Sequence, residues 1–300
     1  MRIQVFFCQS FAATMPAARC YIITSAQAVF MTITVSSIHI YPVKSLGGIS
    51  LTSATVTARG LGYDRRFMLI DDAHEFISQR EFPQMATIRT AIDGDALVLT
   101  SAFGDSVSVP LEPHPLPTRT VRVWSSEVHA HTVSAEADAW LSAHLNMDAR
   151  LVYMPDSAQR RVSPEYAKNG EIVSFADGYP VLLASAASLA DLNARIVRSG
   201  GTAITMDRFR TNLVVSGCTA FAEDSWSDFS IGGAVLRAAK PCTRCQVTTT
   251  DQSSGEVRGP EPLQTLATFR DSPGGVRFGM NLLPVALGEI RVGDGIKTAN

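Results

Sequence analysis

Residues 240–251 read KPCTRCQVTTTD, and the residues directly after the two cysteines decide which fold can hold them. A redox C-x-x-C sits at a helix N-terminus in a βαβ unit, where the dipole lowers the thiol pKa. The run behind Cys245 is instead Gln-Val-Thr-Thr-Thr, rich in β-branched residues, which predicts a strand. A structural zinc site asks for four nitrogen or sulfur ligands. All six histidines, at 39, 74, 114, 129, 131 and 144, precede residue 145, and the other C-terminal cysteine is Cys218. His129 and His131 share one face of a predicted strand, where solvated polar side chains are the plainer reading. Two buried, unreactive cysteines remain the plain alternative.

Outward from this stretch the chain reads as β-rich. Ile33 and Val35 alternate with threonines, and Ile38 and Ile40 come next. RFMLID (66–71) continues the pattern, and AIDGDALVLT (91–100) places Asp93-Gly94 between two apolar runs, a hairpin signal. SVSVPL (106–111) and TVRVWSSEVHAHTV (120–133) add further strands. A helix is predicted over SAEADAWLSAHL (134–145), with Ala137, Trp140, Leu141 and His144 at spacings of three and four. The proline-punctuated stretch 154–180 reads as a connection. A second helix is predicted with Ser188 and Asp191 as its capping box. Leu189, Leu192 and Ile196 form its apolar face, and Gly200-Gly201 its stop. Strands are predicted again at AITM (203–206), FRTNLVVSG (209–217), AVLRAA (234–239) and RCQVTTTD (244–251). A short helix is expected at PLQTLATFR (262–270), and the closing runs from Val276 read as strands. The fold class is mainly β with a few helices, in two β-rich units over 31–150 and 151–300. Residues 1–30 read as a disordered extension or a mis-assigned start, since Met31 already opens a strand-like run.

Composition narrows the partners. Hydrophobic residues make up 46% and charged residues 18%, enough apolar material for a sizeable core. A formal net charge of -2 points away from nucleic acid and anionic membranes. Five sparse cysteines predict a reducing, cytoplasmic setting, and no apolar run reaches transmembrane length. A third chemistry for the C-x-x-C needs only one thiolate. Molybdenum accepts such a ligand when a cofactor supplies the rest, and an arginine and lysine cradle must then receive the cofactor's anionic end. YPVKS (41–45), DRRF (64–67) and DRFRTN (207–212) are candidates for that cradle.

Taken together, YPVKSLGG, YDRRFMLID, FADGYPVLLASAASLADLNAR, DRFRTNLVVSG, AFAEDSWSDFSIGG, KPCTRCQVTTTDQSSGEVRGPEPLQTLATFR and VGDGI resemble the MOSC family. The likeness is to the branch with amidoxime-reducing and YcbX-like proteins, and it spans roughly residues 33 to 296 in the family's order. The resemblance implies an N-terminal MOSC-type β-barrel domain packed on a barrel-like MOSC domain, with a molybdenum cofactor of molybdopterin type bound there. It implies Cys245 as the metal ligand and catalytic residue, with Cys242 a neighbour. Thr243 and Arg244 fall in the same turn. Lys44, Ser45, Arg65, Arg210 and Asn212 match cofactor-holding positions, although Thr211 stands where the family has proline. Gly178 and Tyr179 replace a Thr-Ser pair, so backbone contacts are retained there while a side-chain hydroxyl contact at Gly178 is lost. The implied reaction is reduction of N-hydroxylated compounds (hydroxylamines, amidoximes, N-hydroxy bases) to amines, with Asp207 a candidate supporting group. The chain's cysteines cannot supply an iron–sulfur cluster. Electrons are therefore expected from a separate donor of ferredoxin, flavodoxin or cytochrome type, and the protein is expected to be monomeric. The alternative implied is a non-catalytic carrier of the cofactor or of sulfur on Cys245.

Overall fold

The phase of the apolar residues in the first strand slips by one between Val35 and Ile38, and the backbone answers with a bulge. Thr34–Ile40 pairs antiparallel with Leu213–Ser216, and its register shifts between Val35 and Ser37. The extra residue returns Val35, Ile38 and Ile40 to one buried face. The computed structural model describes residues 32–113 and 117–298; the expectation for residues 1–30 lies outside them.

The architecture is mostly β, with three short α-helices among the described residues: α1 (Ala135–Leu145), α2 (Ala186–Arg198) and α3 (Leu263–Ala267). An eight-stranded sheet runs in the order Ile49–Leu51, Thr34–Ile40, Leu213–Ser216, Val181–Ser185, Arg277–Ala286, Ala234–Thr243, Asp228–Ile231 and Ile296–Thr298. A bridge between Thr34, in the second strand of this order, and Gly295, adjacent to the last, brings the two sides of the sheet together, so the sheet curls on itself. Ile38, Val56, Leu183, Leu213, Leu236 and Leu282 fill it. Strands from early in the chain are thus built into a sheet otherwise made after residue 180. Ser53–Thr57 likewise pairs with Gly288–Arg291.

The remaining strands form smaller sheets. Phe67–Ile70, Arg150–Tyr153, Ser126–Thr132 and Thr118–Val123 make one. Arg89–Asp93, Ala96–Thr100 and Ser106–Pro110 make another, with the predicted hairpin turning at Gly94 (φ 59°). Between these sheets α1 buries Ala137, Leu141 and Leu145 against Leu69, Leu97 and Leu151. Ser134 caps α1, its hydroxyl accepting from Ala137 N at 3.2 Å.

Three local expectations fail for identifiable reasons. The second helix begins a turn earlier than the capping box suggested. Ser185 is its cap, accepting from Ser188 N at 2.9 Å. The Ser188 hydroxyl turns to buried Glu223 (2.7 Å), and Asp191 pairs with Arg195 one turn on. AITM is not a strand. Ile204 bonds through its backbone to the Asn193 side chain on α2, donating at 2.9 Å and accepting at 2.8 Å. The run after Cys245 is a 3-10 turn, Gln246–Thr249, and the strand lies before it, ending at Thr243. Thr248 Oγ1 donates to Cys245 O (2.9 Å) and Thr249 Oγ1 to Gln246 O (2.7 Å). These hydroxyls hold the backbone in a turn against their residues' β preference.

A small core under α2 supports the site from behind. Phe209 stacks on Phe278 with centroids 4.0 Å apart, among Leu192, Ile196 and Leu266. Phe278 is fully buried, so Phe278→Ala should cost about 3–5 kcal/mol in urea unfolding. A loss below about 1 kcal/mol would mean that the neighbours collapse into the gap.

Candidate functional site

Loops and strand ends from distant parts of the chain meet over one cavity. YPVKS leaves the first strand and is fixed where Lys44 N donates to Phe67 O at 2.8 Å. DRRF turns at Arg65, whose N donates to Tyr41 O at 2.8 Å. The 3-10 turn Met206–Phe209 ends at Arg210. Ser45 (φ 69°), Arg65 (49°) and Arg210 (51°) all adopt left-handed backbone, as does Trp124 (55°). Eight of the described non-glycine residues have positive φ, and these four line the cavity. Such conformations persist where surrounding structure holds them, often at working sites.

The lining includes all ten residues singled out in the sequence: Lys44, Ser45, Arg65, Gly178, Tyr179, Arg210, Asn212, Thr243, Arg244 and Cys245. It also includes Phe76, Ser78, Arg80, Trp124 and Asp177, which no local sequence signal marked. The inner space is about 140 Å³. It opens into a hollow of about 410 Å³ that shares Arg80, Trp124, Asp177, Thr243, Arg244 and Cys245 and adds Gly274. The stretch expected to be a mere connection supplies Asp177, Gly178 and Tyr179. Buried Arg160 pins it, donating to Ser174 O (3.0 Å) and Asp177 O (2.8 Å).

Charge is one-sided. Among the described residues, Lys44, Arg65, Arg80, Arg210 and Arg244 face a single lining carboxylate, Asp177. Lys44 is buried beneath the rings of Phe76 and Trp124 and makes an ion pair with Asp177. Desolvation lowers Lys44 from its ordinary value against the pull of Asp177. Desolvation would raise Asp177, but the charge and hydrogen bond of Lys44, with the Trp124 N–H, hold it well below the carboxylate range. Arg65 donates to buried Asp64 at 2.6 Å and to Asn212 Oδ1 at 3.2 Å. Desolvation acts to lower it, and Asp64 raises it overall. Arg65 and Arg210 both pack on Tyr41, their guanidinium carbons 4.5 and 4.2 Å from its ring centroid. Burial pushes its phenol up to about 12.

Arg210 departs most from a satisfied side chain. It is 9% exposed; Nη1 donates to Leu46 O at 2.7 Å, and Nη2 is buried with no partner. Burial, with Arg65 adding, pushes it down to about 10, so it stays charged at neutral pH. Arg244 Nη2 donates to Phe209 O (2.7 Å) and Nη1 to Cys242 Sγ (2.9 Å), while Nε is also buried without a partner. Asn212 is largely spent on protein, accepting from Leu182 N and donating to His39 O. A Cβ at Gly178 would meet no atom within 4 Å, so the missing hydroxyl side chain leaves open space. Asp207 accepts from Thr205 Oγ1 and, through its carbonyl, from Arg210 N at 2.9 Å. It shapes the turn.

The cysteines sit in this wall. Cys245 Sγ accepts from Arg80 Nη2 at 3.5 Å, and Cys242, Cys245 and Cys218 are free thiols of intermediate exposure. Among the described residues no three His, Cys, Asp or Glu side chains gather as a metal cluster. His129 and His131 stand opposite Thr120 and Thr118 on their sheet. The site therefore suits a ligand that brings its own anionic groups and needs one soft sulfur contact. The unpartnered donors of Arg210 and Arg244 fit such a group.

Comparisons with known proteins agree on one family. Residues 32–148 match the MOSC N-terminal beta barrel domain and residues 170–297 the MOSC domain. The chain is 34% identical over 246 residues to mouse (Mus musculus) "Mitochondrial amidoxime-reducing component 1", covering 79% of this chain and 71% of that one. It is 33% identical over 284 residues to bovine (Bos taurus) "Mitochondrial amidoxime reducing component 2", covering 87% and 82%. It is also 32% identical to a "Molybdenum cofactor sulfurase" of Solanum lycopersicum, covering 82% of this chain and 33% of that protein.

The Lys44–Asp177 pair has a pH signature. A carboxyl lowered on folding adds stability above its ordinary pKa, which is lost as pH falls through the lower folded value. Lys44→Met should raise the Asp177 titration midpoint toward the ordinary range, followed by carboxyl NMR. An unmoved midpoint would mean that Trp124 and the other cations hold the charge.

Proposed function

The chain belongs to the MOSC family, and we propose that it is a molybdenum-cofactor-dependent oxidoreductase that reduces N-hydroxylated compounds to amines. The observation that carries this reading is the pairing of a thiol, Cys245, with a buried cationic wall whose Arg210 has a donor left unpartnered. The similarity to proteins named amidoxime-reducing components supports it.

The bound cofactor would supply two-electron oxygen-atom chemistry. In the net reaction the N–O bond breaks, two electrons and two protons are taken up, and amine and water leave. The electrons come from a separate donor protein of ferredoxin, flavodoxin or cytochrome type. The chain's own residues bind and orient. Cys245 is the proposed metal ligand. Arg210 and Arg65, aligned by Tyr41, neutralise the cofactor's anionic end, with Lys44 and Ser45 beside them. Thr243 and Arg244 border the same turn, and Gly178 offers backbone where Tyr179 offers an aromatic wall. The protein is proposed to work in the cytoplasm as a monomer, with the domain segments 31–150 and 151–300 sharing the eight-stranded sheet. No helix among the described residues is long and apolar enough to cross a membrane.

Protein made in a host that synthesises the cofactor should carry about one molybdenum per chain by elemental analysis. Cys245→Ser should lose both metal and amidoxime reduction, and Cys242→Ser should keep most of both. Arg210→Ala should lower cofactor loading several-fold. Full activity in Cys245→Ser would remove the ligand assignment. Persulfide on Cys245 without molybdenum would favour the carrier reading, to which the likeness to a molybdenum cofactor sulfurase lends support.

A further inference from the structure

Four of the five cations in the described lining are anchored by the protein. Lys44 pairs with Asp177 and Arg65 with Asp64, while Arg210 donates to Leu46 O and Arg244 to Phe209 O. Arg80 is different. Its side chain is held by two soft contacts: the face of Trp124, 4.2 Å from the guanidinium carbon, and Cys245 Sγ at 3.5 Å. Among the described residues it forms no ion pair with a carboxylate. The nearest candidate, Asp177, feels its charge but is committed to Lys44 and to the Trp124 N–H at 3.2 Å. A guanidinium offers five N–H donors in a fork shaped for a carboxylate, and a thiol sulfur uses one of them weakly. Stacking on an indole leaves the in-plane donors free for a bidentate partner.

The pair is placed to meet a substrate. Arg80 and Trp124 line both the inner cavity and the outer hollow, with Cys245 at the boundary between them. Both are held in position by the protein. The Arg80 carbonyl accepts from Gln246 Nε2 at 3.0 Å. The preceding Gln79, 1% exposed, exchanges amide hydrogen bonds with Gln252 at 3.1 and 3.2 Å. Trp124 is fixed by its left-handed backbone and by Asp177. A flat ligand entering the hollow beside Trp124 would bring an anionic substituent to the free guanidinium edge. With Arg244 also on the hollow, and its one carboxylate, Asp177, paired with Lys44, a cationic substrate would meet net repulsion there.

We propose that Arg80, stacked on Trp124, is a specificity residue of the mouth that selects planar N-hydroxylated substrates carrying a carboxylate over cationic ones. This rests on the reductase reading for the N-hydroxyl group, but the charge preference is a property of binding and can be measured without turnover. The probes are benzamidoxime, its 4-carboxy analogue and its 4-aminomethyl analogue. Their affinities for the cofactor-loaded full chain are read by calorimetry, and their KM and kcat in parallel. The carboxylated probe should bind about tenfold more tightly than the neutral one, and the cationic probe most weakly. Arg80→Gln should remove that preference, shifting the carboxylate-to-neutral ratio of affinities about tenfold. Arg80→Lys, a point charge without the fork, should restore only part of it. Equal affinity for all three probes in the wild type, or an undiminished preference in Arg80→Gln, overturns the proposal. Molybdenum content is measured on each variant; if Arg80→Gln loses metal, the order of the three probes on the wild type decides. Binding in the expected order without reduction of any probe would sink the reductase reading and leave the charge selection standing.

Discussion

The packing of two guanidiniums against the ring of Tyr41 is the contact on which the site depends. The guanidinium carbons of Arg65 and Arg210 lie 4.5 and 4.2 Å from its centroid. Two like charges this close to one ring repel, and burial strips them of water. The aromatic face offsets part of that cost. Asp64, 2% exposed, offsets more, accepting from Tyr41 N at 2.8 Å and from Arg65 at 2.6 Å. The Tyr41 hydroxyl reaches Thr211 O at 3.4 Å. Residues from three distant segments are thereby locked as one cationic surface. The eight-stranded sheet makes this meeting possible, because Thr34–Ile40 lies beside Leu213–Ser216 and delivers 41–45 next to 207–212.

Much of this was legible in the sequence because it is carried by local pattern. The strand alternation of TVSSIHI, the apolar run FMLI, the Asp93-Gly94 hairpin and the helix over 134–145 arise from period and turn chemistry. The three basic segments were visible as cation-bearing runs beside strands, and the family resemblance joined them to Cys245. Arg80, Trp124 and Asp177 were not legible. Arg80 and Asp177 sit in loops and Trp124 in the hairpin turn just past an alternating strand, and each acquires its meaning from a partner 53 or 165 residues away. The failed strand at RCQVTTTD has a different cause. Threonine favours strands when its hydroxyl is idle, but Thr248 and Thr249 spend theirs on carbonyls three residues back. Ser188 likewise gave up its capping role to Glu223, a residue no local window includes.

The cavity divides its chemistry by depth. Inside, charge is buried and tied to backbone carbonyls and carboxylates, suited to holding an anionic group for long periods. Outside, an indole and a loosely held guanidinium border open space, suited to a small molecule that comes and goes. Cys245 stands where the two regions share a wall. Its turn is braced from both sides, by Arg244 N donating to Val276 O at 2.8 Å and by the hydroxyl of Thr248.

The left-handed backbone at Arg210 carries an implication for how this protein responds to selection. Its φ of 51°, its desolvated charge and its unpartnered Nη2 each oppose folding; Tyr41 and Asp64 offset part of the charge's cost, and a bound anion would offset more and give Nη2 its partner. Glycine or asparagine would relax the backbone and discard the charge. A library sorted purely for thermal endurance should therefore enrich replacements at position 210, while one sorted for occupancy should purge them. Where the two sorted populations diverge, they trace the site's outline from stability data alone, without any knowledge of what binds.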